Sequence, residues 1–191
     1  MTLATFGRWA YLLVAIAAWV GVVFTLVITG VDGYSREAVA RPGMFGGAPF
    51  GWAGFGQRMI ECLSYFTEWS NILVAIVATL IVWKGPDIGS WGRALQLGAL
   101  MILAALVCGP RGGLDVSVVL KALVIPVIWV VYTLIRGAFV HQYPYDFVNV
   151  SVLGYQQVLI NIVAILCGAL VFLAIIAGID WGVGKALLAR N

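Results

Sequence analysis

Charge is scarce in this sequence. Its 191 residues include 11 Lys plus Arg and 8 Asp plus Glu, a charged share of 10%, whereas a soluble domain is roughly a quarter charged. That shortage excludes a soluble globular chain. The surplus of +3 is small and gathers nowhere into a basic cluster interleaved with aromatics, which excludes nucleic acid as a partner. Histidine occurs once, as His141, and the cysteines Cys62, Cys108 and Cys167 lie far apart without a CxxC. A ligand-spaced metal site is thereby excluded, and an odd cysteine count excludes a fully paired disulfide framework within one chain. The three thiols read as small apolar core residues, and neither a metal nor a cofactor is expected.

Long apolar runs fill the space that charge leaves. Hydrophobic residues make up 63% of the chain and the mean hydropathy is +1.05, the composition of an all-α, polytopic transmembrane helical bundle forming one integral membrane domain over residues 1–191. Four runs reach the length needed to cross about 30 Å of hydrocarbon: residues 9–29, 60–83, 116–135 and 157–179. The first carries no small-x-small cleavage site after Ile28, so it reads as a retained span rather than a signal peptide. A fifth run, 94–108, is shorter than the roughly 17 residues a spanning helix requires and reads as a re-entrant segment. Pro126 is expected to kink the third span. Residues 30–59 form a linker whose second half, 42–56, is rich in Gly, Phe and Trp. It suits either a loop resting in the interface or a lid over a lipid-access opening.

Polar side chains concentrate at the entrance to the second span. On one continuous helix, at about 100° per residue, Glu61, Ser64, Thr67, Glu68 and Asn71 share an arc that Ala75, Ala78 and Thr79 continue, while Cys62, Phe66 and Trp69 point the other way. A bilayer tolerates such groups only where they face protein or water. The arc is therefore expected to face inward, with Ser70 and Asn71 serving as interhelical hydrogen-bond glue or as part of a site. In the last span Gln157, Asn161, Ala164 and Gly168 share a face that also suits inward packing. If 94–108 does not cross, seven basic residues fall on the side of the N-terminus against four on the other, the better fit to the positive-inside rule. Thr67 and the loop holding His141, Tyr143, Tyr145 and Asp146 then share the outer face.

Phe66, Thr67, Ser70 and Asn71 form an F-T-x-x-S-N string. It resembles the signature of the androgen-induced-protein family, also described as the androgen-dependent TFPI-regulating protein family, of multi-pass membrane proteins. Strings similar to those of bacterial-type relatives follow in order: Gly109-Pro110-Arg111-Gly112, Tyr132-Thr133-Leu134-Ile135-Arg136-Gly137, Tyr143-Pro144-Tyr145-Asp146-Phe147 and Gly154-Tyr155. The resemblance covers the second span and most of 109–180, with one short run standing where the family has two spans, as after an internal deletion. It implies a hydrolase of fatty-acid esters with Thr67 as nucleophile. The family's histidine has no counterpart, since 72–108 contains none. His141 is the substitute base by its unperturbed pKa, with Glu61, Glu68 and Asp146 as other candidates. Ser70, Asn71, Tyr143, Tyr145 and Asp146 would shape the substrate pocket. The implied partners are membrane lipids and an amphiphilic lipid ester, and the implied location is the bacterial cytoplasmic membrane. A non-catalytic scaffold or lipid-binding protein is the alternative, ahead of a small transporter.

Overall fold

The computed structural model describes residues 3–33, 41–85, 89–98 and 116–188. Seven helices run through them: α1 (Leu3–Gly30), α2 (Phe55–Ser64), α3 (Phe66–Lys84), α4 (Gly89–Gly98), α5 (Val116–Ala122), α6 (Val124–Val140) and α7 (Val150–Leu188). Short 3-10 turns lie at Gly51–Gly54 and Asp146–Val148. Four segments are long and apolar enough to cross a bilayer: Gly7–Gly30, Phe66–Lys84, Val116–Val140 and Val150–Gly182. The protein is an all-α, multi-pass integral membrane bundle.

The α1–α3 pair follows from helical periodicity. Tyr11, Ala15 and Val22 are buried along one stripe of α1, and Ala75, Val77, Ala78 and Ile81 along α3. Tyr11, Ala15, Val77, Ala78 and Ile81 form one cluster. Ala75 and Ala78 are 0% exposed, since side chains this small let two backbones approach. The Trp19 indole donates to Thr79 Oγ1 at 3.1 Å, and that hydroxyl donates to the Ala75 carbonyl at 2.7 Å. Gly85, with φ 94, ends α3 by donating to the Ile81 carbonyl, a turn an L side chain rarely adopts.

Two further clusters mark opposite ends of the bundle. Ala94, Val118, Val119, Ala122, Leu173 and Ile176 join α4, α5 and the distal part of α7. Leu95 of α4 packs on the α1–α3 cluster near Ile81. Lys121 Nζ donates to Ser90 Oγ at 3.1 Å and lies over the Trp91 ring. The chain thus leaves α4 and enters α5 at one end. Residues 99–108 of the short apolar run lie outside the described residues. At the other end Trp129, Tyr143, Val148, Val158 and Ile162 gather α6, the following loop and the start of α7, with Phe66 and Trp69 of α3 packed against them.

The structure departs from the sequence reading in the second, third and last spans. The second span is not one helix from 60 to 83. Tyr65 is extended (φ −73, ψ 136) and separates α2 from α3, because Trp69 Nε1 and Trp129 Nε1 take the freed carbonyls of Leu63 and Ser64 at 2.8 and 2.9 Å. The interruption expected from Pro126 is present: the third span breaks at Leu123, directly after Ala122, whose carbonyl the proline cannot bond and its ring would crowd. Proline is left in the first turn of α6, where its missing N–H costs nothing. That helix runs past residue 135 to Val140 and stops at His141, which is left-handed at φ 54 and ψ 30. The last helix starts at Val150, with a break at Gly154 (φ 73, ψ 161). Its inward stripe is Val158, Ile162, Leu173, Ile176 and Asp180, while Gln157, Ala164 and Gly168 are exposed. Gln157 instead donates to Asn161 Oδ1, and Asn161 donates to the Phe147 carbonyl, both at 3.0 Å.

Candidate functional site: a polar cavity at the α2–α3 corner

Arg58 organises this corner and is only 1% exposed. Its Nε donates to the Thr29 carbonyl at 3.0 Å and its Nη2 to Gly30 at 3.1 Å. Its Nη1 donates to Pro49 at 2.9 Å and Gly51 at 2.8 Å, with the Asp32 carboxylate 3.7 Å away. Two of these acceptors are the last carbonyls of α1, where the helix dipole is negative and intrahelical donors run out. One guanidinium therefore caps α1 and seats the loop that follows. Gly54 completes the fit, because a Cβ there would collide with the Pro49 carbonyl and the Arg58 guanidinium.

One turn further along α2, Glu61 points back at the glycine-rich linker. Its Oε2 accepts from the Gly46 N–H at 3.0 Å and its Oε1 from Gln57 Nε2 at 2.7 Å. The linker is held on its other side as well. Phe45 N donates to the Tyr143 carbonyl at 3.2 Å, Tyr143 N donates to the Gly43 carbonyl at 2.8 Å, and Asn149 Nδ2 donates to Pro42 at 2.9 Å. Gly43 sits at φ 69 against the Asn149 amide, where a Cβ would clash. Residues 42–46 consequently form a strap across the corner. The Phe45 ring lies edge-on to Tyr65 at 5.6 Å, with Arg136 4.5 Å above its centroid.

Beneath the strap lies a cavity of about 580 Å³. Phe24, Thr25, Ile28 and Thr29 of α1 form one wall, Arg58, Glu61 and Cys62 of α2 a second, and Tyr65, Thr67 and Glu68 a third. Arg41, Met44, Phe45 and Gly46 cover it. Glu68 is 7% exposed, and its Oε2 is buried without a hydrogen-bond partner among the described residues. Burial pushes the Cys62 thiol up, a hydrogen bond with Thr29 offsets part of that, and the Glu68 carboxylate adds to the rise. Among the described residues no group of three His, Cys, Asp or Glu side chains could hold a metal ion.

The residues singled out by sequence distribute unevenly around this cavity. Thr67 is exposed and lines it. Ser70 is buried behind it, and Asn71, the next residue, is exposed rather than turned inward. Cys62, expected on the opposite face from Glu61, is buried and lines the same cavity. Phe66 and Trp69 face α6, their rings tilted against Trp129 and Tyr132 at 5.3 and 5.6 Å. Tyr143 is buried over Gly137, its hydroxyl pushed up by burial and then by Tyr155. Tyr145 meets Tyr65 and Trp129 edge-on and stacks on Phe147. Asp146 pairs with Arg41 at 3.3 Å. These three lie at the same end of the bundle as Thr67, and Tyr143 holds the strap over the cavity. His141 lies there too but does not line it, and among the described residues neither its imidazole nor the Thr67 hydroxyl has a hydrogen-bond partner.

Arg58 and the strap contacts were not singled out by sequence. The available signal was Arg58 with Glu61 at i, i+3 directly after a run of glycines, a pair of charges in a helix that leads into a membrane span. Ser64, expected on the inward polar arc, is buried there: its hydroxyl donates to the Ile60 carbonyl at 2.6 Å and bonds Tyr132 Oη at 2.8 Å. No known protein family, no curated protein and no solved structure matches this chain.

Proposed function

We propose that this membrane protein binds an amphiphile, with the polar end in the α1–α2–α3 cavity and the acyl part along the exposed face of α1. The observation that carries this reading is the composition of the cavity wall. Glu68, whose Oε2 is buried without a hydrogen-bond partner among the described residues, lines a cavity that Phe24 and Ile28 of a membrane-crossing helix line as well. Ligand sites combine a largely apolar surface with a few convergent polar groups, and an unpaired buried carboxylate is costly until something bonds to it. Phe24 is itself exposed on the outer surface of α1, so the cavity is continuous with the region a bilayer would occupy. Purified protein irradiated with a diazirine-bearing fatty-acyl lipid should be labelled on residues 24–28 and 44–46. Thr25→Trp, which fills the cavity, should remove that label. Labelling confined to α6 and α7 would overturn the reading.

A second reading, ester hydrolysis, is favoured by one specific placement: Thr67 and Glu68 line one cavity, and His141 does not. A threonine hydroxyl needs an adjacent base. Here Thr67 Oγ1 would attack the ester carbonyl while its proton passes to the Glu68 carboxylate and then to the leaving alcohol, after which water would hydrolyse the acyl-threonine. A fluorophosphonate probe should then label the protein and fail on Thr67→Ala. Equal labelling of both, or of neither, excludes Thr67 as a nucleophile.

A further inference from the structure

The charges around the cavity do not balance locally, and their arrangement bears on what the cavity would accept. Glu61 and Glu68 both line it, and so do Arg41 and Arg58, but both of those cations are engaged with other groups. Arg58 spends its donors on four backbone carbonyls and lies beside Asp32. Arg41 pairs with Asp146. Arg136 rests on the Phe45 ring and does not line the cavity, although its buried Nη1 has no hydrogen-bond partner among the described residues. The C-terminal end of α1, the negative end of that helix dipole, borders the same space through Thr29. Glu61 has both oxygens bonded to protein donors. Glu68 Oε2 has none among the described residues.

Resting on the amphiphile reading above, we infer that the cavity takes a primary ammonium head group, with Glu68 as the group that accepts its N–H. Three chemical requirements select this class. An anionic head would meet two carboxylates in a confined space, where like charges repel more strongly than in water. A quaternary ammonium would satisfy the charge and could rest on the Phe24, Phe45 and Tyr65 rings, yet it carries no N–H and leaves the Glu68 carboxylate without a donor. A neutral hydroxyl head brings one donor and no charge. A primary ammonium brings three donors and a compact positive charge, enough to bond Glu68 and the neighbouring Thr25 or Thr67 hydroxyls together. Hydrogen bonds between charged partners are about twice as strong as neutral ones.

The head group could arrive on a lipid or as a free amine, and one experiment separates these sources. The protein is placed in nanodiscs and irradiated with diazirine-bearing phosphatidylethanolamine, phosphatidylcholine or phosphatidylglycerol of identical acyl chains. Label on residues 24–28 and 44–46 is quantified by mass spectrometry. Ethanolamine-lipid label should exceed choline-lipid label about tenfold, which corresponds to about 1.4 kcal/mol of preference, and glycerol-lipid label should be lowest. Glu68→Gln should bring the first down to the second without abolishing acyl labelling. Equal ethanolamine and choline labelling, or a preference unchanged in Glu68→Gln, overturns the ammonium inference while leaving the amphiphile reading standing. No cavity label with any lipid overturns both. Free ethanolamine at millimolar concentration should leave the label intact. If it abolishes the label, the amine is recognised without its chain and the lipid assignment fails. The wild-type comparison among the three lipids stands even if the Glu68 variant does not fold.

Discussion

Where α1 meets α3, the joint is made of Tyr11, Ala15, Val77, Ala78 and Ile81, all buried at helical spacing, with Trp19–Thr79 as its added hydrogen bond. Around α2, the joints are made of side chains that reach backbone carbonyls of helix ends and of the loop: Arg58 to Thr29, Gly30, Pro49 and Gly51, Trp69 to Leu63, Trp129 to Ser64. In the first region, surface shape does the holding, and many apolar side chains of the right size would serve. In the second, each acceptor has one donor at one distance, and removing the donor strands a polar group away from water. The cavity sits in the second region. Interrupting a membrane-entering helix leaves polar backbone behind, and the residues that satisfy it also frame a polar chamber.

The sharpest way to break this contrast is to remove Arg58. Arg58→Met keeps volume and apolarity but strands the carbonyls that the guanidinium held and leaves Asp32 without its buried cation. Removing one partner from a buried charged network costs about 3–5 kcal/mol. Thermal unfolding in detergent should show the largest loss of any single substitution at this corner, with Arg58→Lys recovering only part because an ammonium lacks the fork. A midpoint equal to wild type would mean that the loop and α1 hold each other without it.

Gly137 tests the same corner by volume. A Cβ there would run into the Tyr143 ring, and Tyr143 in turn anchors the strap through two backbone bonds with Phe45 and Gly43. Gly137→Ala should cost about 1–3 kcal/mol by overpacking and should also raise proteolysis within 42–46. In the α1–α3 joint, by contrast, Thr79→Val removes the Trp19 bond but preserves the shape. The cost there should be close to the roughly 0.6 kcal/mol average for interhelical hydrogen bonds in membranes. If Thr79→Val proved the more damaging of the two, the contrast between the regions would be reversed.

The same contrast governs what could be read from sequence. Four crossing segments were legible because hydropathy and length act residue by residue, whatever the neighbours are. The small residues Ala75 and Ala78 were legible as a close-packing face for the same reason. The break at Tyr65 was not, because it depends on Trp129 arriving from α6, 64 residues away in sequence. Once the break is made, the continuous polar arc from Glu61 to Asn71 no longer exists. Thr67 keeps its place beside Glu61 and Glu68 at the cavity, and Asn71 turns out to the surface. In the last span the spacing of Gln157 and Asn161 suits a packing face, yet Val158 and Ile162 are buried instead. Those two polar side chains satisfy each other and the Phe147 carbonyl, which removes the need for a partner helix.

Asn71 supplies the smallest expected effect and the finest test of where the corner ends. Ser70 and Asn71 are adjacent, about 100° apart around α3, so only one of them can face the packed side. The structure buries Ser70 and exposes Asn71, and the Asn71 side chain has no hydrogen-bond partner among the described residues. Asn71→Leu should therefore change the unfolding midpoint by no more than the equivalent of about 0.5 kcal/mol, the usual range for substitutions away from structural features. Ser70→Leu forces extra methyl groups into a closed space and should cost about 1–3 kcal/mol. The two variants carry the same new side chain one residue apart, so their difference reports the facing of the helix and not leucine itself. A loss of 1 kcal/mol or more on Asn71→Leu, with Ser70→Leu tolerated, would rotate α3 by that one residue. Ser70 would then leave the packed side, and Asn71 would take the inward facing expected from sequence.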